Sequence, residues 1–369
     1  MASYYVGLMS GTSMDGIDAA LVSFGDRKVA IHATRTLQYP PELKDDLLSA
    51  IRLPLDEPLD PSGDLDRRVG ECFRDAARAV IELSGVDPCD IVAIGSHGQT
   101  LRHQPDAAQP FSLQIGNAEI IADGNGITTV SNFRKADIAA GGQGAPLVPP
   151  FHQWLFSSKQ ADRVVVNIGG IANITILRSD DSEVIGFDTG PGNGLMDAWI
   201  RYHLGEAYDR DGQWSASAPV IQPLLEQFLE DPYFQLRPPK STGFEYFNLN
   251  WLRSFDVNAY DVAEVQATLC ELSAASISGA IAKYAGTSRE IFVCGGGSHN
   301  VELMRRLRRN LPGAAVSSTA TVGLDPDWVE SVAFAWLAMR TLRGEYGNLP
   351  SVTGASHKVV LGDIHSVRP

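Results

Sequence analysis

The chain has 369 residues, 44% hydrophobic and 20% charged, with 30 Lys and Arg against 44 Asp and Glu for a formal net charge of −14. That length suits two domains of ordinary size, and the charge excludes a general nucleic-acid binder, which needs clustered cations to displace counterions from phosphate. No run reaches the ~20 apolar residues that span a bilayer, and the opening MASYYVGLMSGTSMDG lacks a basic n-region and meets Asp15 early. A cytoplasmic enzyme or binding protein with neither nucleic-acid nor membrane partners is therefore expected.

Strand-like runs at residues 4–9, 17–24 and 29–38, separated by turn residues, predict an antiparallel meander. Helical patterns follow at 41–53 and 65–84, the second preceded by the capping types Ser62 and Asp64, and the apolar run 91–95 is a buried strand. The segment 132–150, NFRKADIAAGGQGAPLVPP, is rich in Gly, Ala and Pro and reads as a crossover between lobes, either a plain linker or the lining of a cleft. A second strand, glycine turn, strand, polar turn and strand then occur in order within 163–194. Helices are predicted at 195–204, 261–285, 300–309 and 328–343, with a buried strand at 291–294.

In the long helix Val262, Val265, Leu269, Leu272, Ile277, Ile281 and Tyr284 form one stripe, and Ala274, Ala275, Ser276, Ser278, Gly279 and Ala280 leave room for a close neighbour. Two halves that open alike and continue into helices and a buried strand imply an architectural duplication, with two mixed-sheet domains facing one another. The four cysteines, Cys72, Cys89, Cys270 and Cys294, form no CxxC pair and no metal-ligand spacing, which predicts reduced, buried thiols.

Three glycine-rich turns follow predicted strands: Gly11 to Gly16, Asp188 to Gly194 and Gly295 to Gly297. Where no Cβ intervenes, successive backbone N–H groups can line an anion-binding concavity. The first turn holds half of a Walker motif, but Ile17 stands where the lysine belongs and a strand follows, which excludes a P-loop NTPase. A phosphate-holding hairpin using backbone amides and the hydroxyls of Ser10, Thr12 and Ser13 fits better.

GLMSGTSMDGIDAAL, SHGQTLRH, NFRKADIAAGGQGAPLVP, VNIGGIANIT, GFDTGPGNGLMDAW, STGFEYFN and VCGGGSHN occur in that order between residues 7 and 300, with DPDWVESVAFAWLA at 325–338. Together they closely resemble the anhydro-N-acetylmuramic acid kinase family of the sugar kinase, Hsp70 and actin superfamily. The resemblance implies an α/β fold of two ribonuclease H-like (actin-like ATPase) domains, with mixed sheets flanked by helices and the active-site cleft between them. It places an N-terminal lobe at 1–131, a C-terminal lobe at 132–354 and a tail, 355–369, packing back on the first lobe. A homodimer is implied as well.

The implied reaction opens the anhydro bridge of 1,6-anhydro-N-acetylmuramic acid with water and phosphorylates O6 with ATP and Mg²⁺, in cell-wall (peptidoglycan) recycling. Asp188 matches the family's catalytic aspartate, a base for the attacking water; as local structure it could instead cap the helix that follows. The resemblance assigns nucleotide contacts to Gly11, Thr12, Ser13, Met14, Asp15, Gly16, Ile17 and Asp18 in the phosphate-1 hairpin. It assigns more to Gly169, Gly170, Thr189, Gly190 and Gly192, and to the adenosine motif Gly295, Gly296 and Gly297. Asp15 or Asp18 would supply the carboxylate toward Mg²⁺, through water, because Ser10 stands near the place where related kinases carry an Asp.

For the sugar, His97 and Gln99 are candidates for the N-acetyl or lactyl groups, or else structural. Arg134 and Lys240 are candidate cations for the carboxylate or phosphates, or else solvated. Asn173, with Asn167, would orient the sugar or pin its own turn. Glu330 would hydrogen-bond the sugar or serve as a helix-dipole carboxylate. Two other functions stay open on the residues alone: an ordinary amino-sugar hydroxyl kinase of the same fold, and a non-catalytic nucleotide-gated scaffold.

Overall fold

Runs of β-branched and aromatic residues broken by glycine turns set the strand pattern. The computed structural model describes residues 3–368 apart from 12, 13, 15, 54–62, 106, 181 and 287. In chain order its strands are β1 (Tyr4–Ser10), β2 (Ile17–Gly25), β3 (Lys28–Leu37), β4 (Ile91–Gln104), β5 (Phe111–Ile115), β6 (Thr129–Ser131), β7 (Arg163–Ile168), β8 (Ile171–Leu177), β9 (Ile185–Pro191), β10 (Glu290–Cys294), β11 (Ala315–Ser318) and β12 (Asp363–His365). One sheet has the order β12-β6-β4-β1-β2-β3, with β5 paired to β4, and the other β11-β10-β7-β8-β9.

Both sheets repeat one plan. A meander, β1-β2-β3 or β7-β8-β9, pairs antiparallel throughout. The next strand, β4 or β10, lies parallel beside the first, and β6 or β11 lies parallel beside that. This mixed α/β arrangement is the ribonuclease H-like topology, present twice, and it accounts for the duplicated hairpin starts. Inner strands are apolar on both faces because helices cover both, as in Val164, Val165 and Val166 of β7. The edge strand β3 instead alternates between exposed and half-buried positions over most of its length.

The chain divides into two units, Met1–Leu155 with Trp328–Pro369, and Phe156–Asp327. This differs from the expected boundary after residue 131 and from the expected placement of 328–354 in the second lobe. Close packing is the cause. The helix Val329–Leu342 lies so near β1 and β4 that a Cβ on Gly7 would run into the Ser331 carbonyl, and one on Gly95 into that of Phe334. Segment 132–150 is likewise folded into the first unit, not strung out as a linker. Asp137, wholly buried, accepts hydrogen bonds from Asn348 Nδ2 at 2.8 Å, Thr353 Oγ1 at 2.7 Å and the Gly144 N–H at 2.8 Å. In the same unit β12 pairs antiparallel with β6, and Arg368 meets Asp123 at 2.6 Å.

The helix Asp64–Ser84 begins at Gly63 with no side-chain cap. The proposed cap Ser62 lies outside the described residues, and Asp64 is the first helical residue, paired with Arg67 at 2.6 Å. In the second unit Asp261 caps the helix Val262–Tyr284 by accepting from the Ala263 N–H. By length and composition this helix could cross a membrane, yet most of it is buried in its unit. Its stripe residues Val265, Leu269, Leu272, Ile277 and Ile281 enter the core, while Val262 stays exposed. Small residues let it approach the turn after β9, where Ser273 Oγ donates to the Gly192 carbonyl at 2.7 Å. All four cysteines are free thiols, but only Cys270 and Cys294 are buried. Cys89 sits on an exposed single turn and Cys72 on a helix flank, which corrects the expectation of four buried thiols.

Candidate active site

Within the first unit, the turn from Gly11 to Gly16 joins β1 to β2. Thr12, Ser13 and Asp15 lie outside the described residues. Met14 takes a left-handed φ of 52° and donates its N–H to the Gly11 carbonyl at 3.2 Å, while its side chain is buried in the core. A left-handed non-glycine residue costs roughly 1–2 kcal/mol, which burial of a methionine, worth ~1.5–3 kcal/mol, offsets. Gly16 and Ile17 are also buried, so Ile17 offers a ligand its backbone only. Asp18 is opposite Thr36 and accepts Thr36 Oγ1 at 2.6 Å. Among the described residues no cluster of three or more His, Cys, Asp or Glu could hold a metal ion.

Gln99, wholly buried, ties this turn to the sheet. Ser10 Oγ lies 2.8 Å from its Oε1 and 2.9 Å from the Gly16 carbonyl, with one proton to give. Tyr39 Oη donates to the same Oε1 at 3.3 Å, and Gln99 Nε2 donates to the Gly11 carbonyl at 3.3 Å. The structure therefore makes Gln99 a brace of the turn. Burial raises the Tyr39 hydroxyl well above the usual tyrosine range, keeping it a donor.

His97 is buried against Phe334, with ring centroids 4.7 Å apart. Burial first, then the charge of Arg134, holds its pKa well below the ordinary histidine value. The neutral ring uses both nitrogens: Nδ1 lies 2.9 Å from the Gly98 carbonyl, and Nε2 accepts from Arg134 at 2.9 Å. A second arm of Arg134 donates to the Gly144 carbonyl at 2.6 Å. The guanidinium is thus held and aimed. A cavity of about 300 Å³ opens beside His97, lined among others by Ser96, Gln114, Asn117, Ser131 and His365. Ser96 is 1% exposed and its hydroxyl has no hydrogen-bond partner among the described residues, an unsatisfied group facing a polar space. Glu330 stands half-buried in the first turn of the helix Val329–Leu342.

In the second unit, strand register builds a polar row. Asn167 of β7 is opposite Asn173 of β8, which is opposite Asp188 of β9. Directly opposed residues share a sheet face, so the three side chains issue together. Asp188 is an internal residue of β9, and the following helix Gly194–Leu204 has Asn193 at its N-cap. That geometry removes the reading of Asp188 as a helix cap.

Residues distant in sequence hold Asp188. Its carboxylate Oδ2 accepts the Thr242 N–H at 3.0 Å, its own N–H donates to the Lys240 carbonyl at 3.2 Å, and its carbonyl accepts Tyr233 Oη at 2.7 Å. Lys240, 8% exposed, donates to the Tyr233 carbonyl at 2.9 Å and lies 4.2 Å from the centre of the Tyr233 ring. Burial and the charge of Lys283 lower its pKa to about 8, with Asp188 opposing. It is a buried cation, not a solvated one.

Several of the glycines here are required by packing. The N–H groups of Gly192, Asn193 and Gly194 donate to the carbonyls of Gly170, Gly169 and Gly170 at 2.9, 2.8 and 3.0 Å. They close the turn on its neighbour, contrary to the expectation that they line an anion pocket. A Cβ on Gly192 would strike the Gly169 carbonyl, and one on Gly297 the Ile168 side chain. Gly190 and Gly295 have φ of 141° and 77°, and Thr189 Oγ1 donates to the Ala172 carbonyl at 3.2 Å. Gly295 donates its N–H to the Pro326 carbonyl at 3.0 Å, while the exposed Gly296 opens the single helical turn Gly296–His299. Sequence reasoning missed Tyr233 and Ser96 as site residues. Tyr233 carries no local signal, and only the closed fold brings it to Asp188.

The family model described as anhydro-N-acetylmuramic acid kinase matches residues 3–367. Relatives bearing that name include one from Shewanella halifaxensis (strain HAW-EB4), 48% identical with 98% of each chain covered. Another from Shewanella loihica (strain ATCC BAA-1088 / PV-4) is 50% identical, again with 98% of each covered. One from Coxiella burnetii (strain Dugway 5J108-111) is 47% identical, covering 98% of this chain and 97% of its own. Among solved structures, (R)-2-hydroxyglutaryl-CoA dehydratase component A of Acidaminococcus fermentans is similar at 11% identity and a TM-score of 0.49, covering 90% of this chain and 96% of its own. Identity near one half along the whole length, with the motifs placed on a duplicated ribonuclease H-like frame, makes this chain a member of the anhydro-N-acetylmuramic acid kinase family.

Proposed function

We propose that the protein opens the 1,6-anhydro ring of 1,6-anhydro-N-acetylmuramic acid with water and transfers the γ-phosphoryl group of ATP to O6, giving N-acetylmuramic acid 6-phosphate and ADP in cell-wall recycling. The observation that carries this reading is Asp188: a buried carboxylate, fixed by the Thr242 N–H at 3.0 Å, in one row with Asn173 and Asn167. A hydroxyl kinase needs a base only for an alcohol proton. Ring opening needs one that aims water at the anomeric carbon and whose charge favours oxocarbenium character.

In this mechanism Asp188 takes the water proton as the new C1–O bond forms and the C1–O6 bond breaks. The departing O6 attacks the γ-phosphorus, the bond to the β-phosphate oxygen breaks, and ADP leaves. Asn173 orients the sugar. Arg134, aimed by His97 and the Gly144 carbonyl, meets the lactyl carboxylate, and Glu330 accepts from a sugar hydroxyl. The Gly11–Gly16 turn, braced by Gln99, serves the nucleotide phosphates, and Gly295, Gly296 and Gly297 serve its adenosine. Asp15 or Asp18 would hold a magnesium ion through water, and the ion would supply charge neutralisation during phosphoryl transfer. Of the two candidate carboxylates only Asp18 is described, and it accepts Thr36 Oγ1 at 2.6 Å.

Asp188→Asn keeps the shape and removes the base. Incubated with ATP and the anhydro sugar, the variant is expected to lose at least about a thousandfold in kcat. Full turnover by the variant, or rapid phosphorylation of N-acetylmuramic acid with none of its anhydro form, would overturn the reading.

A further inference from the structure

We propose that Tyr233 and Lys240 are positioning residues for Asp188, closing a ring of contacts that holds the base in one orientation. The proposal rests on the reading of Asp188 as the base. Its geometry is specific. One segment, 231–242, grips a single residue of β9 at three atoms: the carbonyl through Tyr233 Oη, the N–H through the Lys240 carbonyl, and Oδ2 through the Thr242 N–H.

The segment is locked to itself where it grips. Lys240 Nζ donates to the Tyr233 carbonyl at 2.9 Å and lies 4.2 Å from the centre of the Tyr233 ring and 5.8 Å from that of Phe187, the neighbour of Asp188. Asp231 pins the start of the segment, accepting the Tyr233 N–H at 2.9 Å, Tyr246 Oη at 2.9 Å and Trp251 Nε1 at 2.8 Å. Moving Asp188 thus requires moving Tyr233 and Lys240 with it.

This arrangement exceeds what strand pairing needs. Asp188 already faces Asn173 in the ladder, and the register shifts between Ala172 and Asn173, just where the grip is applied. A strand irregularity interrupts the ladder locally, so pairing alone holds Asp188 less firmly there. The clamp supplies the missing hold and keeps Asp188 in the row with Asn173 and Asn167. Buried ammonium is costly unless its donors are engaged, and Lys240 is engaged by the residue that holds the Asp188 carbonyl. Misplacing a reacting group by about 1 Å costs on the order of a hundredfold in rate.

The test uses the whole enzyme with ATP and 1,6-anhydro-N-acetylmuramic acid. Tyr233→Phe retains the ring under Lys240 and removes only the donor to Asp188. It is expected to lower kcat about tenfold, with both KM values within about twofold and the melting temperature nearly unchanged. Lys240→Met is expected to lower kcat at least as far, and Lys240→Arg, which can still donate to the Tyr233 carbonyl over the ring, to recover part of it. Wild-type kcat per folded molecule in both Tyr233→Phe and Lys240→Met overturns the proposal. Asp188→Asn run alongside separates the two claims: an active Asp188→Asn enzyme defeats the base itself, whereas an inactive one beside unimpaired Tyr233→Phe and Lys240→Met defeats only the clamp.

Discussion

Asn173 and Asp188 oppose one another across β8 and β9, and Asn167 of β7 continues the row. A carboxylate with an amide beside it on the same face can aim a hydroxylic ligand while the amide satisfies a neighbouring polar group. Asn173→Ala is therefore expected to lower kcat/KM for the anhydro sugar by roughly ten- to a hundredfold, about one to two hydrogen bonds' worth, with the KM for ATP within about twofold. Steady-state kinetics with each substrate varied in turn checks it, and an equal rise in both KM values would count against a sugar-side role.

His97 and Arg134 give a second prediction. The ring is neutral and accepts from the guanidinium, so it aims Arg134. His97→Phe preserves the packing on Phe334 and removes the acceptor. The KM for the anhydro sugar is expected to rise about tenfold with ATP affinity unchanged, and a sugar analogue lacking the lactyl carboxylate is expected to show no such difference.

Acid stability follows from three histidines of the first unit. Burial, with Arg134 adding to it, lowers His97 and takes His103 to about 4, and burial takes His152 to about 3. Folded, each stays neutral where the unfolded chain binds a proton, so their contribution is complete above the ordinary value near 6.5 and is lost as pH falls toward the folded values. Each costs about 1.4 kcal/mol per pH unit within that window. Urea midpoints at pH 7.5 and 5 are expected to differ strongly, and His152→Gln to reduce the difference. A variant with an unaltered difference would show that His152 does not carry its share.

The motifs, the two meanders and the long helix were legible because glycine turns and apolar runs are local signals. Short elements such as β5, β6 and the helix Ala118–Asn125 were not, since tertiary pairing decides them. The placement of Val329–Leu342 was missed for a related reason: its partners Gly7 and Gly95 lie hundreds of residues earlier, and a glycine needed for helix contact looks like any other. Asp188 and Asn173 could be picked from the chain as candidates, and strand register places them opposite one another. What the glycines at 192 and 194 do could not, because their N–H groups are taken by the carbonyls of another hairpin. Nor could Tyr233, whose role exists only once 231–242 folds over β9.

Gly7 yields a prediction about the fold. Gly7→Ala places a methyl against the Ser331 carbonyl, a backbone atom that cannot rotate away. The substitution is expected to destabilise by roughly 1–3 kcal/mol or more, the range for overpacking, seen as a lower urea midpoint. A neutral outcome would show that the helix Val329–Leu342 can withdraw from β1.

The central claim is that water opens the anhydro bridge while O6 receives the phosphoryl group. Turnover of 1,6-anhydro-N-acetylmuramic acid with ATP in ¹⁸O-water, with the product analysed promptly by mass spectrometry against an unlabelled N-acetylmuramic acid 6-phosphate exchange control, tests it directly. The account predicts one ¹⁸O at the anomeric oxygen and none in the phosphate. Product without anomeric label above that control, or label in the phosphate, would contradict it.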